Sequence, residues 1–113
     1  MAVESNQRAG ARIVTVTDPL TIHQCDALRA AFQTALDGGE RRFVFDLRGA
    51  PHMDSASIGE LVRCLKRVRE NGGALKLVLD PDGKIRHILE LSQLIRAFEV
   101  FPDQDDALAS FAP

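Results

Sequence analysis

A carboxylate and two hydroxyls stand within four residues at Asp54-Ser55-Ala56-Ser57, with His52 just ahead of them. Serine, histidine and an acid such as Asp54 or Asp46 are the raw material of nucleophilic hydrolysis. A triad, however, needs the base in hydrogen-bond reach of the nucleophile and the acid behind the base, and close sequence neighbours seldom supply that geometry. The segment also lacks the G-x-S-x-G elbow that forces a serine into exposure. His52 therefore reads as a loop histidine rather than a general base. The other chemistry open to such a serine is phosphate acceptance, because a helix N-terminus carries unpaired N–H groups and partial positive charge.

The bland role for a serine in this position is capping. Ser57-Ile58-Gly59-Glu60 matches the capping box, in which the hydroxyl and the glutamate satisfy orphan N–H groups reciprocally. That reading makes Ser57 the cap and leaves Asp54 and Ser55 exposed in the loop ahead of the helix. Ser55 is then a hydroxyl that the fold does not obviously need, and spacing alone does not decide whether it is used.

Other sites are poorly supported. His23, His52, His87, Cys25 and Cys64 are the candidate metal ligands, but none forms a recognised paired spacing beyond His23-x-Cys25, whose members point in different directions on a helix. Gly38-Gly39 and Gly72-Gly73 follow helical patterns instead of preceding them, and no Walker or dinucleotide pattern occurs, so no cofactor is expected. Cys25 and Cys64 read as buried free thiols. A net charge of −2 gives no basic stripe for nucleic acid. No apolar run approaches the ~20 residues needed to span a bilayer, and the N-terminus lacks the apolar block of a secretory signal. A cytoplasmic protein with no membrane partner is the expectation.

The elements around the serine segment follow from periodicity. Residues 12–17 alternate with β-branched side chains and read as a strand, and the nearly continuous apolar runs at 42–47 and 74–79 read as buried strands. Thr21 opens a helix whose apolar positions are Ile22, Cys25, Leu28, Phe32 and Leu36. A second helix carries Ile58, Leu61, Val62, Leu65 and Val68 inward, with Glu60, Arg63, Lys66, Arg67 and Glu70 on the outward face and Asn71-Gly72-Gly73 as its stop. A short helix with Ile85, Ile88, Leu89 and Leu91 inward precedes a strand at 98–101. Pro102-Asp103-Gln104 then opens a last helix with acidic residues in its first turn. The order β-β-α-β-α-β-α-β-α in 113 residues implies one α/β domain with parallel neighbouring strands. The expected layout is a mixed sheet of four or five strands with about four helices mainly on one face. Residues 1–10 form a tail or an edge strand, and 11–113 the domain proper.

With these elements in place, the chain resembles the STAS domain, the family of bacterial anti-sigma factor antagonists and of the cytoplasmic tails of sulfate transporters. The residues that carry the resemblance are Phe45-Asp46-Leu47, Met53-Asp54-Ser55, Ile58-Gly59, Asn71-Gly72-Gly73, the helix from Ile85 to Leu91 and the strand Phe98-Glu99-Val100-Phe101. Family members typically read D-S-S/T/A-G-L/I-G at the serine segment. The resemblance implies a protein that is not an enzyme but the substrate of one. Ser55 would be phosphorylated by an anti-sigma factor serine kinase, in a partner-switching circuit that regulates transcription. Met53, Asp54, Ser55, Ala56, Ser57, Ile58 and Arg63 are the implied contact residues, and the implied state is a monomer or weak homodimer. A subunit of a lipid-transport complex, a stressosome-like scaffold and a small-ligand regulator are the alternatives. Three departures stand out: Ala56 replaces a second hydroxyl, Ser57 stands where glycine is common, and Asp18-Pro19 and Gln93 lie near further family glycines.

Overall fold

The three apolar runs form adjacent strands at the centre of a five-stranded sheet in the computed structural model, which describes residues 3–111. The strands are β1 (Val3–Arg8), β2 (Ala11–Val16), β3 (Arg42–Asp46), β4 (Ala74–Val78) and β5 (Glu99–Phe101), in that spatial order. β1 runs antiparallel to β2, and every other neighbouring pair is parallel. The β1–β2 hairpin turns through Ala9 and Gly10, both in the left-handed region (φ 52° and 80°), the conformation a two-residue connection needs to match strand twist. Of the two readings of the N-terminal segment, Val3–Arg8 takes the edge strand.

Parallel strands require crossovers, and the helices supply them. α1 (Ile22–Asp37), α2 (Ser55–Glu70) and α3 (Lys84–Leu91) cover one face, where Phe32 of α1 meets Phe43 and Phe45 of β3 at ring-centroid distances of 4.8 and 6.0 Å. α4 (Gln104–Ala109) lies on the opposite face, with Ala107 against Ile13, Val44 and Val78. Lys76 is buried on that face too, tolerated because its ammonium pairs with Glu99 and sits 4.7 Å from the Phe111 ring.

Two apolar residues expected to point inward are exposed. Ile22 opens α1, 60° of helix rotation off the Cys25 direction, and its first turn is left 61% accessible. Leu91 is 72% accessible because α3 buries Ile85 and Leu89, and a residue two beyond Leu89 faces almost the opposite way.

The stop after α2 shows why glycine follows glycine there. Gly72 adopts φ +79°, which favours glycine directly. Gly73 is needed for close approach: a Cβ there would lie 2.7 Å from Val68 Cγ2 and closer still to the Arg41 carbonyl oxygen. Gly73→Ala is expected to lower unfolding stability by about 2 kcal/mol or more through forced displacement of β4. Urea denaturation of the variant beside wild type measures it.

Candidate functional site

The loop from β3 to α2 is fixed by the segment that precedes α1. Leu20 and Met53 form an isolated parallel bridge, with the Leu20 N–H donating to the His52 carbonyl at 2.8 Å and the Asp54 N–H to the Leu20 carbonyl at 3.3 Å. The bridge aligns the N-termini of α1 and α2 side by side. Met53 is buried in the core beneath it, while Pro51 and His52 are exposed above.

Asp54, not Ser57, caps α2. Its backbone is extended (φ −100°, ψ 176°), as the residue before a helix must be, and its Oδ1 accepts the Ser57 N–H at 2.9 Å. The helix therefore begins at Ser55, three residues earlier than the capping-box reading placed it. Ser55 is the first helical residue and is exposed; it does not lie in the loop. Ala56 beside it is also exposed. The first-turn N–H groups of Ser55 and Ala56 have no i−4 carbonyl within the helix, so they are the donors that a helix N-terminus offers to an anion.

Ser57 is fully buried, with its Oγ 2.7 Å from Asp54 Oδ1, 2.5 Å from the Leu20 carbonyl oxygen and 3.1 Å from Cys25 Sγ. One hydroxyl proton serves the carboxylate and the carbonyl, which leaves the Cys25 thiol to donate to Oγ. Ser57 is not the cap that the capping-box pattern suggested, and its side chain is sealed between the two helices. Met53 is likewise buried and presents no side chain to a partner. The glutamate of the apparent box is elsewhere too. Glu60 is 4% exposed between α1 and α2, paired with Arg29 and 3.6 Å from Arg63 Nη1. A helical wheel puts it outward, but α1 packs on that side and brings its own arginine.

The electrostatics follow from these partners. The Ser57 hydroxyl, and then the Ser57 N–H, hold the Asp54 carboxyl below the usual aspartate range. Burial pushes the Cys25 thiol up, against the Ser57 hydrogen bond, and burial drives Cys64 to about 12. Both are free thiols that stay protonated near neutral pH. Asp46 is committed elsewhere. Burial raises it, but the Arg48 side chain, Gln104 and the Arg48 N–H outweigh that and hold it below the ordinary value. It ties β3 to α4 across the sheet from α2, so it does not stand behind a Ser55–His52 pair. Among the described residues no three His, Cys, Asp or Glu side chains gather as a metal set.

The geometry thus brings Asp54, Ser55, Ala56 and the half-buried Ile58 to one end of α2, with exposed Arg63 two turns further along. The STAS domain family model matches residues 2–107, and the chain belongs to that family. No curated protein sequence matches it. Its fold is similar to that of a putative anti-sigma factor antagonist from Thermotoga maritima (TM-score 0.86, 23% identity, over 96% of this chain and 92% of that one). It is also similar to SpoIIAA, a Bacillus cell fate determinant, in its phosphorylated form (TM-score 0.75, 17% identity, 98% of this chain and 100% of that one). Within the murine anion transporter Slc26a9 it matches a region (TM-score 0.74, 21% identity) that covers 92% of this chain but 18% of the transporter. At these identities the likeness is one of fold. No helix among the described residues is long and apolar enough to cross a membrane.

Two predictions test this site. Ser57→Ala strips the hydroxyl from a sealed position and is expected to cost about 1–3 kcal/mol of unfolding stability, read by urea denaturation. The lowered Asp54 carboxyl contributes stability that is fully present above the ordinary aspartate value and is lost as pH falls through the lowered one. Asp54→Asn should therefore flatten the acid limb of a stability-against-pH series relative to wild type.

Proposed function

We propose that this domain is an anti-sigma factor antagonist whose binding to a serine kinase is switched off by phosphorylation of Ser55. The observation that carries this reading is the division of labour at the start of α2. Asp54 caps, Ser57 is sealed, and Ser55 alone of the three presents its side chain at the helix N-terminus with no structural task. A phosphate there adds about −1.5 to −2 of charge beside the ionised Asp54. The helix N-terminus accommodates that charge, so the domain stays folded while a partner packed over the segment meets like-charge repulsion. The switch acts on association. In this reading the protein is a substrate and not an enzyme, it works in the cytoplasm, and its contacts are Asp54, Ser55, Ala56, Ile58 and Arg63. The same fold within Slc26a9 supports a second reading, a STAS module of a transport assembly.

Incubation with a histidine-kinase-like ATPase encoded beside the gene, plus ATP, should place phosphate on Ser55 by mass spectrometry. Phosphate on Ser57, or none from a demonstrably active kinase, overturns the assignment. Ser55→Ala should keep kinase affinity and Ser55→Asp should reduce it. Equal affinities argue against a charge switch, and a transporter as the only specific partner favours the second reading.

A further inference from the structure

α2 carries a second feature on the stripe that begins at Ser55. Steps of four lead from Ser55 through Gly59 to Arg63, and steps of three and four lead on from Arg63 to Glu70 through either Lys66 or Arg67, so these residues share one side of the helix. Gly59, Val62, Arg63, Lys66, Arg67 and Glu70 line one open groove. Among the described residues no carboxylate comes within ion-pair distance of Lys66 or Arg67, and Arg63 pairs with Glu60 at 3.6 Å. A chain of net charge −2 thus sets three cations against the single carboxylate of Glu70 along one groove, with Lys66 and Arg67 outside any ion pair among the described residues and Arg63 shared with Glu60.

Gly59 is the second observation. It opens the second turn of α2, inside the helix, where glycine costs helix stability relative to alanine. Its backbone is ordinary, with no positive φ, and a Cβ built there meets nothing within 4 Å. Unlike Gly73, it has no reason inside the domain to be glycine. A bare stretch of helix backbone flanked by cations suits a partner chain that must come close.

We propose that this groove receives an acidic polypeptide segment of the partner, laid along α2 with its backbone against Gly59 and its carboxylates on Arg63, Lys66 and Arg67. The proposal deepens the reading above, from which it takes only that the partner is a protein that also covers Ser55. It supplies the repulsive element of the switch. Ser55 is one turn, about 6 Å along the axis, from Gly59, so a phosphate there lies at the head of the acidic segment's own track. A nucleic acid is the poorer occupant. Tight phosphate binding rests on many neutralising contacts, and the groove offers three cations on an acidic chain.

The test needs no kinase. The 15N-labelled protein is titrated with a synthetic Glu/Leu peptide of about ten residues, with a Lys/Leu peptide of equal length and with a single-stranded oligonucleotide, and amide shifts are followed by NMR. Reversal of two charge contacts is expected to weaken the acidic peptide about tenfold or more in the Lys66→Glu/Arg67→Glu double variant, at about 1.4 kcal/mol per tenfold. Wild-type shifts should centre on Gly59, Val62, Lys66 and Arg67, with none from the basic peptide. Gly59→Gln should raise Tm, since the helix gains and nothing clashes, yet weaken the acidic peptide. Phosphomimetic Ser55→Asp should weaken it as well. Absent shifts, equal affinity of the double variant, unchanged affinity of Gly59→Gln or a stronger response to the oligonucleotide each overturns the groove. Failure of Ser55 phosphorylation with these shifts intact removes the kinase reading and leaves the groove standing.

Discussion

Ser57 Oγ sits where the N-termini of α1 and α2 meet, in contact with the Leu20 carbonyl, the Asp54 carboxylate and the Cys25 thiol. The arrangement of this end of the domain depends on it. The hydroxyl fixes the carboxylate that caps α2, and the cap sets where the helix starts. That start makes Ser55 the first helical residue, with its side chain free. In a site closed to water a single polar group left unmade costs about as much as a net hydrogen bond gains several times over, so the three contacts act as one constraint. At Ser57 this chain has a polar lock between its helices.

That lock separates the hydroxyl that holds the helices together from the one that faces solvent. Phosphate on Ser55 meets outward N–H groups and an exposed surface, whereas phosphate on Ser57 would require the helices to part. Charge can therefore be added at one hydroxyl with the core undisturbed. The ion pairs around it are arranged in the same spirit. Arg29 and Arg63 neutralise the buried Glu60, and Arg48 and Gln104 hold Asp46 on the far side of the sheet. Lys66 and Arg67 remain without carboxylate partners on the face that leads away from Ser55. Their charge is directed at solvent or at a partner.

Much of the architecture was legible without coordinates. The apolar runs at 42–47 and 74–79 became β3 and β4, and the Asn71-Gly72-Gly73 stop ended α2. Asp103 caps α4 as the acidic first turn suggested. Gln93, near a family glycine, takes φ 62°, the left-handed conformation that glycine serves without strain. The errors cluster where two elements meet. The Ser57–Glu60 box fits the local pattern, yet both residues are buried by α1, which lies outside the sequence window that suggested it. Leu91 and Ile22 are apolar and near their helices' inward faces, but nothing covers the helix ends that carry them.

The sequence by itself determined the element order, the mixed sheet with its parallel crossovers, the buried thiols and the presence of two hydroxyls beside an aspartate at a strand-to-helix junction. These depend on period, turn residues and composition, which are local properties of the chain. Tertiary structure alone decided which hydroxyl is sealed between the helices and which is left exposed. That choice rests on a contact between residues 20 and 57, made when the Leu20–Met53 bridge brings two helix N-termini together. A pattern of neighbours along the chain carries no record of a carbonyl arriving from 37 residues away.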